Sequence, residues 1–263
     1  IKLVHMPNVT AFLIGGLLIG PSVLGILSQE MTDSLSIITE AALGFIAYSI
    51  GAEFKLSYLK RIGTKPVVIT ICEGLGAVLI VDIVLMGRLT PRFAPKCRSV
   101  QACVSKENHI DLQKANECAG YSTAYLLRHY DIPATGNEVY QAMTDKMADG
   151  CVYPRAVKKM LGKYGFDVEY CTGNVNALKN EIAEGKPVIV LIRVVKNEKW
   201  LHYVPVVGYD EEYLYLAESL PKFVNCDEKE YNRRIGTKEF LALWNTSMLK
   251  MPLYRHSFYV VEK

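Results

Sequence analysis

The run from Val9 to Ser28, VTAFLIGGLLIGPSVLGILS, holds no charged residue over twenty positions. Twenty helical residues rise about 30 Å, the thickness of a bilayer's hydrocarbon, so such a stretch reads first as a membrane-crossing helix. Pro66 to Met86 is as long but contains Glu73 and Asp82, and Leu35 to Gly51 is a third apolar run around Glu40. Charge then changes abruptly: residues 1–88 carry 12 charged side chains and the following 175 residues carry 45. The expectation is a membrane segment of about three transmembrane helices over 1–88, a linker over 89–110 and a separately folded domain over 111–263.

Carboxylates inside a membrane are costly unless protonated, paired or turned toward protein, which makes Glu40, Glu73 and Asp82 candidate transport residues; the alternative is that they face neighbouring helices. Glu73 and Asp82 are nine residues apart and so lie on opposite helix faces, which excludes one helix-borne cation site between them. Gly16 and Gly20 form a small-residue face, and Pro21 ends or kinks the first span. The basic residues Lys55, Lys60, Arg61 and Lys65 favour a cytoplasmic loop between the second and third spans, whereas Arg88, Arg92, Lys96 and Arg98 pull the other way. Membrane localisation with undetermined sidedness follows, with the lipid bilayer as a partner. No charged region precedes a short apolar run at Ile1, so the start reads as a fragment boundary and not a signal peptide.

Residues 6–86, through MPNVTAFLIGGLLIGPSVLGIL, ALGFIAYSIGAEFKLSYLKRIG and GLGAVLIVDIVLM, resemble an early part of the monovalent cation/proton antiporter family. That resemblance implies a truncated fragment, because the family's transport aspartates lie in later helices.

The net charge of +3 is too small to indicate a nucleic-acid partner. Seven cysteines and five histidines include no C-x-x-C and no H-E-x-x-H pattern, so no zinc or other cofactor is expected.

In the second block Cys118 to Tyr130 is apolar at three-to-four spacing and free of proline, which predicts a helix with one buried face. Cys118 opens it, with Asn116 as the expected cap. A thiol at a helix start meets unpaired N–H groups and the positive dipole end, which favour thiolate; the plainer reading is a small buried apolar side chain. LHYVPVVG (201–208) alternates, with His202, Val204 and Val206 on one face, and YLYLAES follows as the second strand of a hairpin with Glu218 near its end. Across such a pair Glu218 can accept from one imidazole nitrogen of His202 and leave the other for Cys118; an edge histidine and a solvent-facing glutamate are the alternative. Helices are further predicted over Pro154–Tyr164 and Val175–Ala183. Pro187–Val194 reads as a central strand, Thr237 as the cap of KEFLALW, and HSFYVVE as a closing strand. Helices come early and strands late, so the fold class is α+β, with the cysteine helix packed on an antiparallel sheet.

The ordered pattern NECAGYSTAYLLRHY, GKPVIVLI and WLHYVPVVGYDEEYLYLAES makes residues 111–262 resemble the papain-like cysteine peptidases of the double-glycine-leader, C39-like type. The resemblance implies Cys118 as nucleophile, His202 as base and then acid, Glu218 in the place of an aspartate, and Gln113 as side-chain donor to the oxyanion. It also implies a peptide or leader-peptide substrate and, since no G-x-x-x-x-G-K-[ST] is present, a separate export machinery. Two departures stand out: Gln113 precedes Cys118 by five residues rather than six, and Glu218 is one methylene longer than aspartate. Trp200, Tyr121 and Tyr125 either shape a substrate groove or belong to the core. The expected function is membrane-tethered, thiol-dependent peptide hydrolysis. The alternatives are a non-catalytic peptide-binding module and a sodium/proton antiporter fragment.

Overall fold

The computed structural model describes residues 8–19, 36–53, 64–97, 99–248 and 253–262. Two compact units, Ile1–Cys72 and Glu73–Lys263, divide the chain.

The apolar N-terminal runs form helices α1 (Asn8–Ile19), α2 (Ser36–Glu53) and α3 (Lys65–Met86). Residues 20–28 of the first expected span lie outside the described residues. In α2 the apolar run is broken by Glu40 and closed by Glu53, and α3 carries Lys65, Glu73 and Asp82. Glu40 and Glu73 are exposed, and no metal-binding group of acids, histidines or cysteines occurs among the described residues. Among the described residues no helix is long and apolar enough to cross a membrane. This corrects the expected three transmembrane helices, and with them the membrane localisation, the bilayer as partner and the membrane tether of the expected function.

The second unit is built on an 8-stranded sheet in the order β1-β3-β8-β4-β5-β6-β7, with β2 added to β5. Its strands are β1 (Thr90–Arg92), β2 (Ala102–Cys103), β3 (Asp167–Gly173), β4 (Val188–Arg193), β5 (Leu201–Tyr209), β6 (Tyr213–Leu216), β7 (Arg233–Gly236) and β8 (Ser257–Glu262). All pairings are antiparallel except β1 with β3. The predicted central strand is β4, held between β5 and β8, and β5–β6 is the predicted hairpin, with a register irregularity between Val206 and Gly208. Residues 89–110, read from sequence as a linker, supply β1 and β2; strands of 3 and 2 residues are too short to show a period.

Alternation along β4 sends Ile189 and Leu191 to one side and Val188, Val190 and Ile192 to the other. On the first side lie α4 (Cys118–His129), α5 (Gly136–Ala142) and α6 (Pro154–Lys163), which contribute Leu126, Leu127, Val139, Met160 and Leu161 to the core. On the second lie α7 (Val175–Ala183) and α8 (Thr237–Trp244), which contribute Leu178, Ile182, Phe240 and Trp244. Proline opens α6 at its first turn, and Gly165 follows at φ 83°, a left-handed position that glycine adopts without steric cost. Asn174 caps α7 by accepting from the Ala177 N–H at 3.0 Å. Thr237, expected as a cap, is the first residue of α8 behind Gly236; its N–H and hydroxyl both donate to the Glu212 carbonyl, at 2.8 and 2.9 Å.

Packing of α4 on α5 depends on Gly120. A methyl group there would fall onto Tyr140 Cβ and lie 2.7 Å from its backbone N and Cα. Backbone cannot yield as a side-chain tip can, so Gly120→Ala is expected to destabilise the fold by about 1–3 kcal/mol. At Gly162, inside α6, an added methyl meets nothing within 4 Å, and Gly162→Ala is expected to stabilise by about 0.5–1 kcal/mol. Urea unfolding of the two variants against the parent checks both signs.

Candidate active site

Cys118 is the first residue of α4. Glu117 occupies the N-cap position, and no side chain bonds the helix start. Asn116, expected as the cap, instead donates from Nδ2 to the Asp149 carbonyl at 2.8 Å. The first-turn N–H groups are thus unclaimed by a side-chain cap, and with the helix dipole they make this end receptive to negative charge. The helix is held at this end by Ser122, whose hydroxyl donates to the Tyr203 carbonyl at 2.9 Å.

His202 is the second residue of β5, opposite Ile192 of β4. It is buried, and its Nε2 lies 2.7 Å from Oε1 of Glu218. Cys118 lines the same cavity as His202 and lies near enough to raise the imidazole's proton affinity; with Nε2 engaged by the carboxylate, Nδ1 is the nitrogen left to face the sulfur. Glu218 has no exposed surface. Its Oε1 also accepts from the Leu220 N–H at 2.8 Å, and its Oε2 accepts from Arg233 Nη1 at 2.7 Å. Asn232 grips the backbone of the same residue, accepting from Glu218 N–H at 2.7 Å and donating to its carbonyl at 2.9 Å. The three residues Cys118, His202 and Glu218, separated by up to 100 positions in sequence, are therefore brought together in one row, with a hydrogen bond between the last two.

Electrostatics agree with the geometry. Burial opposes charge on His202, but the Glu218 carboxylate, its hydrogen bond and the nearby Cys118 sulfur outweigh it and raise the imidazole's proton affinity. Burial likewise favours a neutral Glu218, yet the charge and hydrogen bond of His202, together with Arg233, hold its carboxyl well below the usual range. By contrast, burial and the Asp149 carboxylate push the Cys151 thiol up to about 12, and burial and Glu169 do the same at Cys171.

Gln113 is buried and lines the same cavity as Cys118 and His202. Its Oε1 accepts from the Ser219 hydroxyl at 2.7 Å, its backbone N–H donates to the Ser219 carbonyl at 2.8 Å, and its Nε2 donates to the Ala115 carbonyl. One amide hydrogen is thereby committed and the other remains for a ligand in the cavity.

Two cavities meet at Cys118. One, of about 310 Å³, is lined by Val152, Leu191, Leu201, Tyr203, Trp200 and Met248. The other, of about 200 Å³, is lined by Gln113, Asn116, His202, Glu198 and Lys222, with Cys151, Trp200 and Leu201 shared. Trp200 thus stands at the groove, whereas Tyr125 is core, with its hydroxyl on the Glu230 carbonyl at 3.2 Å. Tyr121 packs its ring where Gly136 leaves room, at 2.5 Å from an added Cβ. Arg233 and Asn232 were not singled out in the sequence. The available signal was parity: in RRIG, Arg233 shares the inward side with Ile235 while Arg234 points out.

The pH dependence of stability has a definite sign. Glu218, depressed in the fold from its ordinary 4.5, contributes stability that is present above about 4.5 and lost as pH falls through its lower folded value. His202, raised from its ordinary 6.5, contributes stability that is complete below about 6.5 and lost as pH rises through its higher folded value. Acidification below pH 4.5 is therefore expected to lower the melting temperature, with a shallower fall in Glu218→Gln, as thermal scans from pH 5 to 2.5 would register.

The model of the Peptidase_C39 like family matches residues 101–248. Among solved structures, a C39-like peptidase from Bacillus anthracis aligns at 16% identity, with a TM-score of 0.48, over 63% of this chain and 98% of that one. The peptidase domain of Streptococcus ComA, a bifunctional ABC transporter of a quorum-sensing pathway, aligns at 13% identity and a TM-score of 0.44, over 59% and 98%. A double-glycine-motif protease from an AMS/PCAT transporter aligns at 16% and 0.38, over 62% and 98%. No curated protein matches. The antiporter resemblance of residues 6–86 receives no support from these comparisons. Since the matched span exceeds half of the 263 residues, the chain belongs to the Peptidase_C39 like family.

Proposed function

We propose that this protein hydrolyses a peptide bond by acyl transfer through Cys118. The observation that carries the reading is the buried row Cys118–His202–Glu218, with Nε2 to Oε1 at 2.7 Å. Buried rows of thiol, imidazole and carboxylate have a direct chemical use: the imidazole keeps the sulfur as thiolate and holds a proton ready for the leaving group.

In this mechanism the Cys118 sulfur attacks the carbonyl carbon of the substrate, and the carbonyl oxygen gains negative charge. The Cys118 backbone N–H, at the open helix start, and the second amide hydrogen of Gln113 donate to that oxygen. His202 transfers its Nδ1 proton to the leaving nitrogen as the carbon–nitrogen bond breaks, which leaves a thioester and a free amine. Water then gives a proton to Nδ1 while its oxygen attacks the thioester, and collapse releases the acid and restores the thiolate beside the protonated imidazole. Glu218 orients the ring through Nε2 and stabilises its charged form. The interval of five between Gln113 and Cys118 is accommodated because Ser219, next to Glu218, fixes the Gln113 amide. The apolar cavity suits an apolar substrate side chain beside the cleaved bond, and the polar one suits the backbone and the leaving group.

Iodoacetamide labelling, read cysteine by cysteine by mass spectrometry, tests this without a known substrate. Cys118 is expected to react faster at pH 6 than Cys151 and Cys171, whose thiols burial holds near 12, and to lose that advantage in His202→Ala. Against a peptide library, Cys118→Ala and His202→Ala should abolish cleavage, and Gln113→Ala should lower kcat by about 10²–10³. Labelling of Cys118 that is slow and indifferent to His202 would leave a peptide-binding module as the better account.

A further inference from the structure

We infer that Arg233 is a positioning residue of this site, holding Glu218 in place and neutralising the buried row so that Cys118 stays reactive on the acid side; the inference rests on the peptidase reading above. The contact is direct: Arg233 Nη1 donates to Glu218 Oε2 at 2.7 Å, with 7% of the arginine side chain and none of the glutamate exposed. The guanidinium lies over the Phe223 ring, 4.6 Å from its centroid, a stacking that fixes its plane. Arg233 pairs with Leu216 across β6–β7, and the preceding Asn232 holds the Glu218 backbone through two hydrogen bonds. One dipeptide therefore grips the main chain of Glu218 and one of its carboxylate oxygens, leaving the other for His202.

Charge makes this more than a scaffold contact. With the thiol ionised, the row reads thiolate, imidazolium, carboxylate and guanidinium, alternating in sign and neutral in sum. Without the guanidinium the same row carries a net negative charge where little water reaches it. Such a charge disfavours a further anion and draws a proton toward the carboxylate. Other titratable groups flank Cys118: Asp149, Cys151 and Lys199 on the apolar side, Glu198 and Lys222 on the polar side. Asp149, Glu198, Lys199 and Lys222 are exposed, so solvent and salt screen them. Cys151 stays neutral through the pH range of the test because burial pushes its thiol up.

The experiment is the rate of Cys118 alkylation by iodoacetamide from pH 4 to 9, on the full chain. Wild type, Arg233→Met and Arg233→Lys are compared, with folding checked by circular dichroism. Arg233→Met is expected to move the acid limb of the profile upward by about one pH unit, and Arg233→Lys, which keeps the charge, to restore most of it. A folded Arg233→Met whose profile superimposes on wild type, or a lysine variant that shifts as far as methionine, overturns the inference. Should Arg233→Met fail to fold, the same substitution in a Glu218→Gln background leaves no orphaned carboxylate. There the double variant, which has lost one charge of each sign, is expected to keep its acid limb above that of Glu218→Gln alone, and superposition of the two profiles would overturn the inference. Failure of the peptidase reading looks different: wild-type Cys118 would itself show no dependence on His202.

Discussion

Glu218 is a fully buried carboxylate, and the neighbourhood of the site is arranged around keeping it charged. An isolated ion in that position would cost several kcal/mol after relaxation. The fold offsets this with donors from His202, Leu220 and Arg233 on the two oxygens and with Asn232 on the backbone. These donors come from β5, from the chain after β6 and from the start of β7, so the sheet must be assembled before the carboxylate is satisfied. The dependence also runs outward. Ser219 follows Glu218 and binds the Gln113 side chain and backbone, so the loop before α4 inherits its position from the same residue that orients His202. Removing one donor would therefore act at the sulfur as well as at the carboxylate.

Much of this could be read from the chain because the relevant residues lie on long periodic elements. The three-to-four spacing after Cys118 and the strict alternation of LHYVPVVG are repeated often enough to identify a helix and a strand, and the hairpin between Asp210 and Tyr213 brings Glu218 back toward His202. What escaped has physical reasons. Strands β1 and β2 are too short to carry a pattern. The cap at α4 is a backbone matter, since Glu117 uses its carbonyl to accept from Gly120 and Tyr121, and no side-chain type announces it. Arg233 sits among polar neighbours in EYNRRIG, where a charged residue ordinarily faces water; only its partner Glu218, fifteen positions upstream, explains its burial. The apolar N-terminal runs misled because the hydropathy of a stretch outweighed the charges inside it: Glu40 and Glu53 lie in α2, and Lys65, Glu73 and Asp82 in α3.

Alternation along β5 has a final consequence for how the site divides its work. Tyr203 lines the apolar cavity and His202 the polar one, with Leu201 bordering both. Successive side chains of a strand point to opposite sides, so one step along the backbone separates the surface that would select a substrate side chain from the group that moves the proton. Cys118, at the end of a helix resting on this strand, touches both. Replacing Leu191 on the neighbouring strand changes the volume of the first cavity without entering the row of Cys118, His202 and Glu218. Replacing His202, Glu218 or Arg233 alters the row and leaves the apolar wall intact. A one-residue slip of β5 would exchange these roles, placing imidazole in the apolar cavity and leucine beside the carboxylate. The register is held against this by six pairings with β4, from Val188 opposite Val206 to Arg193 opposite Leu201. The chemistry at the strand's first turn of alternation is therefore secured by packing along its whole length, where Val204 and Val206 lie fully buried.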